Sequence, residues 1–111
     1  MNIGFDLDGV IFNFVKPFLD DYVNPSLGTN YTINDIVQFD FWNCTLLSFS
    51  QFKTLHEKAI NDGFYSRLPL LNPDTNQLMN KISQHNNVFY VTARPDSAVL
   101  QTKECFFFNG L

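Results

Sequence analysis

The chain has 111 residues, the length of a single domain, and 45% of them are hydrophobic against 16% charged, a globular composition that excludes disorder. A formal net charge of −4 with scattered Lys and Arg leaves no basic stripe to neutralise a nucleic-acid polymer. The only cysteines, Cys44 and Cys105, lack CxxC spacing, which argues against a disulfide framework or zinc site and for a reducing cytoplasm.

No stretch approaches the roughly 20 apolar residues of a membrane span. The amino terminus, Met1-Asn2-Ile3-Gly4-Phe5-Asp6, reaches an acid before an apolar leader can form, so neither membrane insertion nor secretion is expected. In that setting the Asn30-Tyr31-Thr32 and Asn43-Cys44-Thr45 triplets carry no meaning as glycosylation sites.

Residues 2–7 form a short apolar run closing on Asp8-Gly9, which reads as a buried strand followed by a turn. Apolar residues at 12, 15, 18, 19 and 22 then follow helical spacing to about Val23, with Pro17 tolerable near the first turn. Residues 24–63 have a different texture and read as a helical insertion, with short helices at Ile33–Val37 and Phe49–Ile60. Ser50 and Asp62-Gly63 supply start and stop signals for the second of these.

Phe64-Tyr65-Ser66-Arg67-Leu68-Pro69 reads as extended and returns the chain to the core. Pro73-Asp74-Thr75 opens a helix with proline at N1, and Leu78, Met79 and Ile82 form its buried stripe before His85-Asn86-Asn87 ends it. Val88–Val91 is the second strand, with Thr92 at its carboxyl end. Asp96 or Ser97 then caps a last helix through Ala98 to Phe108. This order calls for a parallel α/β sheet with right-handed crossovers, its core formed by residues 1–23 and 64–111 and interrupted by the insertion at 24–63.

Asp6 and Asp8 stand at the end of the first strand. Side chains two apart on an extended backbone share a face, so both carboxylates converge on one site. Two acids can divide two jobs, Asp6 attacking as nucleophile and Asp8 moving a proton to the leaving oxygen and back from water. A magnesium ion would offset the repulsion between a carboxylate and a phosphate dianion, and it prefers such hard oxygen ligands. An isolated Asp-x-Asp-Gly is otherwise a polar turn; an EF-hand is excluded, since the glycine comes too soon and no glutamate closes the loop.

The carboxyl ends of neighbouring parallel strands face one crevice. Thr92 then falls beside the aspartates, able to hold a phosphate oxygen by its hydroxyl and backbone N–H. Arg94 suits either a phosphate, through its planar fork, or a salt bridge at the strand end. Phe39, Phe41, Trp42 and Phe52 would stack a base or, the preferred reading, form an aromatic core. His56 and His85 receive no role.

Phe5-Asp6-Leu7-Asp8-Gly9-Val10 resembles the first motif of the haloacid dehalogenase-like superfamily, and Val91-Thr92-Ala93-Arg94-Pro95 resembles its second. The segment between them is similar to a helical cap of the class placed between those motifs. Gly63-Phe64-Tyr65 with Leu68-Pro69 is similar to the 5′-nucleotidase branch that acts on deoxyribonucleotides.

The resemblance implies a partial Rossmannoid parallel sheet with a small helical cap, and hydrolysis of phosphate monoesters with Mg2+ through an aspartyl-phosphate. Asp6 and Asp8 would be catalytic and metal-binding, Asp8 holding the metal through its carbonyl. Thr92, Ala93 and Arg94 would hold the phosphate of a small substrate such as a nucleotide, in the cytoplasm. The family's later lysine and acidic pair have no counterpart here. Spacing does not assign Lys103 to the lysine role, and Asp96 and Glu104 are single acids, read as a helix cap and a solvated side chain. Asn13 stands where relatives in the nucleotidase branch often carry another acid.

The shortened pattern leaves three expectations. The chain is a truncated gene product, or its sheet is completed by a second copy or a complementing second chain, or it is a non-catalytic phosphate- or metal-binding or assembly protein. Two strands with an exposed edge, together with Phe106-Phe107-Phe108, favour self-association.

Overall fold

The computed structural model describes every residue except Phe39, and Phe41 by its backbone alone. In chain order the elements are β1 (Asn2–Asp6), α1 (Val15–Phe18), a π-helical turn (Leu19–Val23), α2 (Asn24–Leu27), 3-10 turns at Ile33–Asp35 and Phe41–Asn43, α3 (Phe49–Asn61), a 3-10 turn at Phe64–Arg67, α4 (Thr75–Ser83), β2 (Asn87–Val91), a 3-10 turn at Asp96–Ala98 and α5 (Val99–Phe108). The architecture is mixed α and β around a two-stranded parallel sheet. It divides into two compact units, Met1–Phe14 with Gly63–Leu111, and Val15–Asp62. Residues 15–23, grouped by the sequence reading with the strand-bearing segments, lie in the second unit.

In the first unit β1 and β2 pair in register, Asn2 opposite Asn87 through Asp6 opposite Val91. Alternation sorts their side chains by face. Ile3, Phe5, Val88 and Tyr90 are half-buried, while Asp6, Phe89 and Val91 are exposed. Helix α5 supplies Phe106 against Tyr90, ring centroids 4.7 Å apart, and Phe12 meets the same phenylalanine ring edge-on at 5.7 Å. On the other face Phe89 lies across Gly4, where a Cβ would come within 2.7 Å of the ring. The core of this unit includes Leu7, Ile11, Phe12, Tyr65, Leu68, Met79, Ala98 and Cys105.

Local chemistry moves several expected boundaries. Helix α4 begins at Thr75 behind Asp74, so Pro73 lies outside it rather than at N1; of its expected stripe Met79 is buried, Ile82 half-buried and Leu78 exposed. Residues 64–67 are a tight turn, not an extended return. Gly63 takes φ +79°, a left-handed conformation that costs glycine little, and its carbonyl accepts the Ser66 N–H at 3.0 Å. The buried Leu68 carbonyl then accepts from the Asn109 amide at 2.9 Å and from the Cys105 thiol at 3.5 Å, tying this segment to the end of α5. Neither Asp96 nor Ser97 caps the last helix by its side chain, because a 3-10 turn occupies those positions.

In the second unit α1, the π turn and α2 run on without a break, and the Asn24 N–H reaches back five residues to the Leu19 carbonyl. Pro25 comes directly after. A proline inside a helix clashes with the carbonyl four residues earlier, and the widened turn relieves that crowding. Asn24 then organises the exit: its Oδ1 accepts from the Thr29 hydroxyl and the Tyr31 N–H, each at 2.9 Å, and its amide donates to the Tyr31 carbonyl at 2.9 Å. Phe18, Leu19, Val23, Leu47 and Ala59 are buried here. Among the described residues no helix is long and apolar enough to cross a membrane.

Candidate functional site

The strand β1 stops at Asp6, and the chain beyond it forms a loop closed on itself. The Leu7 carbonyl accepts N–H groups from Val10, Ile11 and Phe12 at 3.3, 2.8 and 2.9 Å, and the Gly9 N–H donates to the Phe12 carbonyl at 2.9 Å. Gly9 sits at φ +84°, which permits that reversal. Burying Leu7, Ile11 and Phe12 anchors the loop in the core. These loop amides are therefore spent internally rather than presented to an anion.

Because the strand ends at Asp6, the alternation argued from the sequence does not extend to Asp8. Asp6 is exposed at the strand tip and takes the Leu7 N–H on Oδ1 at 2.8 Å. Asp8 is half-buried and meets Arg94. The Arg94 Nε donates to Oδ2 at 3.0 Å and Nη2 to Oδ1 at 2.6 Å, a two-pronged pair. The third contact of the guanidinium is Nη1 to the Thr102 hydroxyl at 3.1 Å. The guanidinium carbon lies over the rings of Tyr65 and Phe12, 4.3 and 5.3 Å from their centroids.

Thr92 is exposed just beyond β2, and its Oγ1 accepts the Arg94 backbone N–H at 3.0 Å. The register that sets Asp6 opposite Val91 brings the tip of β2 beside the tip of β1. Ala93 is exposed between Thr92 and Arg94. Of the two roles weighed for the Arg94 side chain, the ion pair is the one formed, and that side chain is 2% exposed.

Sequence reasoning did not single out Tyr65, Phe12 and Thr102 as neighbours of this pair. They reach Arg94 from the turn at 64–67, the loop after β1 and the first turns of α5, separations that carry no periodic signal. Burial pushes the Tyr65 hydroxyl well above its ordinary range; the Asp8 charge adds to this, and Arg94 works against it. Burial likewise pushes the Cys105 thiol up.

A magnesium ion needs oxygen donors, and among the described residues no group of three or more His, Cys, Asp or Glu side chains gathers to hold a metal. Asp6 and the Asp8 carbonyl are the hard donors at the strand tip, a set that suits magnesium only as it binds through one or two carboxylates, with water and substrate phosphate completing its shell.

In the other unit Trp42 and Phe52 belong to an aromatic cluster. Trp42 meets Phe49 and Phe52 at 4.8 and 5.2 Å, and Phe52 stacks on His56 at 5.8 Å and meets Phe18 at 5.6 Å. Phe18 is buried, Trp42, Phe52 and His56 are half-buried and Phe49 is exposed, so the rings pack on one another with only Phe18 fully in the core. Phe39 and the Phe41 side chain lie outside the described residues. A shallow pocket of about 220 Å³ in this unit, lined by Ser26, Leu27, Leu47, Ser50, Gln51, Thr54 and Leu55, presents no ionisable group.

No family model, no curated protein and no solved structure matches the chain.

Proposed function

We propose that this chain carries the aspartate loop of a haloacid dehalogenase-type phosphomonoesterase, acting on small phosphorylated substrates of the nucleotide kind. The observation that supports this reading is the parallel register of β1 and β2, with Asp6 at one tip and Thr92-Ala93-Arg94 just beyond the other. Ligands of open parallel sheets bind beyond the carboxyl ends of the strands. An exposed carboxylate there is open to a phosphate ester, and a second acid stands two residues later.

In this mechanism an Asp6 oxygen attacks phosphorus as the ester P–O bond breaks, and Asp8, carrying a proton on the side of its carboxyl that Arg94 leaves open, gives that proton to the departing oxygen. A water then attacks the phosphorus of the acyl phosphate and returns a proton to Asp8, releasing inorganic phosphate and restoring Asp6. Thr92 would hold a phosphate oxygen by its hydroxyl, with the backbone of Ala93 beside it. Mg2+, bound by Asp6 and the Asp8 carbonyl, would supply the positive charge that lets two anions meet.

Phosphate release from a nucleotide panel, with and without Mg2+, tests the reading. The expected result is magnesium-dependent turnover that falls to background in Asp6→Asn. Equal, negligible rates in both proteins would remove it.

A second reading is favoured by the Asp8–Arg94 pair, which a purely structural role would explain without any chemistry. The chain would then be a non-catalytic phosphate-binding or assembly protein. Saturable binding of inorganic phosphate without turnover supports that alternative, and a clean monomer in size-exclusion chromatography counts against assembly.

A further inference from the structure

Arg94 spends a buried cation on a single carboxylate, and the manner of its burial is specific. The fork uses Nε and Nη2 to bind one lone pair on each Asp8 oxygen, at 3.0 and 2.6 Å. A carboxylate has about four lone-pair sites, so roughly two remain on the side away from the guanidinium. The exposures divide in the same way, with the Arg94 side chain 2% exposed and that of Asp8 26% exposed. One edge of the carboxylate is clamped, and solvent reaches the rest of the group.

The clamp is itself held. The Thr102 hydroxyl gives its proton to the Ala98 carbonyl at 2.8 Å, which leaves its oxygen to accept Arg94 Nη1 at 3.1 Å. The rings of Tyr65 and Phe12, over which the guanidinium carbon lies, pack against the group and limit its movement. With its side chain 2% exposed and Nε, Nη1 and Nη2 committed to Asp8 and Thr102, Arg94 is turned away from any substrate that approaches from solvent. A lysine would provide a point charge but could not fix the carboxylate plane.

We propose that Arg94 is the positioning residue of Asp8: it sets the orientation of that carboxylate and acts on phosphoryl transfer through it, without touching the phosphate. The catalytic half of this assignment rests on the phosphatase reading; the clamp itself does not.

Arg94→Met, Arg94→Lys and Thr102→Val, made in the full chain, test it by two readouts. The first needs no turnover. In 1H–15N spectra the Arg94 Nε–H should give a sharp, slowly exchanging signal in the parent, lost in Asp8→Ala while the backbone amides stay dispersed. The second is steady-state kinetics on p-nitrophenyl phosphate with Mg2+. Arg94→Met should lower kcat by roughly a hundredfold, the lower end of what a positioned acid/base contributes, with KM within about threefold of the parent. Arg94→Lys should recover part of that loss. Should Arg94→Met fail to fold, Thr102→Val keeps the ion pair and should still lower kcat several-fold.

A KM raised about tenfold at unchanged kcat would assign Arg94 to the phosphate and overturn the proposal, as would unchanged kinetics in Arg94→Met. Fast-exchanging Arg94 Nε–H in a parent that turns over substrate overturns the proposal alone. No turnover in the parent overturns the phosphatase reading and the catalytic role with it, and the Nε–H signal then decides whether the clamp exists.

Discussion

Tyr22 shows how one side chain couples stability to pH. Its hydroxyl donates to Asp62 Oδ2 at 3.0 Å, within the Val15–Asp62 unit. Desolvation first, then the bond to Asp62 and the charges of Asp62 and Asp21, pushes its pKa from 10.0 up to about 12. The folded state therefore holds this proton more tightly than the unfolded state does. The contribution is fully present below pH 10 and is lost as pH rises toward about 12, since the unfolded chain then releases its proton first. Urea denaturation across that window should show stability falling with pH, and Tyr22→Phe should flatten part of the slope. Other raised groups share the remainder: Tyr65, Tyr90 and Cys105 through burial, and Lys16 through its bond to Asp20. An unchanged slope in Tyr22→Phe would mean the hydrogen bond does not persist in solution.

Residues legible from the sequence at this scale are those whose role is local. Gly9 at a turn and Asp6 at a strand tip are set by neighbours a few positions away. The Asp8–Arg94 contact spans 86 positions, and sequence chemistry alone could propose a salt bridge for Arg94 without naming its acid.

Helix α3 carries the clearest start signal among the elements, two residues earlier than the Ser50 read from the sequence. Ser48 Oγ accepts the Gln51 N–H at 3.1 Å, and Gln51 Oε1 accepts the Ser48 N–H at 2.8 Å, a reciprocal capping box. Both serines are plausible caps, but only Ser48 has a glutamine three positions on. Ser48→Ala should cost about 1 kcal/mol, read as a lower urea midpoint at unchanged slope together with faster amide exchange at Gln51. A change within a few tenths of a kcal/mol would show that packing of α3, not its cap, sets its start. The turn at 64–67 was hidden for the opposite reason. Its shape depends on where Tyr65 must go, beneath the Arg94 guanidinium with its N–H on the Gln101 side chain at 3.1 Å, and no local pattern encodes that.

For the molecule as a whole, each compact unit has its own buried core, and in the Val15–Asp62 unit a ring lies at its centre. Phe18 is fully buried and meets Tyr22, Phe52 and His56 at 5.7, 5.6 and 6.4 Å. Phe18→Ala removes that burial and opens a cavity, a loss of about 3–5 kcal/mol. Small domains have only about 5–15 kcal/mol in total, so the midpoint of thermal unfolding should fall by roughly 15 °C. A fall of a few degrees in a calorimetric scan would mean that the aromatic cluster closes over the gap.

The order of strands and helices, the parallel sense of the sheet and the position of Asp6 were determined by the amino-acid sequence, because hydrophobic periodicity and turn residues act over a few positions and survive without tertiary context. Tertiary structure alone decided the partner of Asp8, the burial of Arg94 against Tyr65 and Phe12, and the tight turn before Leu68. Each of these depends on burying a charge or a ring among residues distant in the chain, and such burial is favourable only when all the partners arrive together.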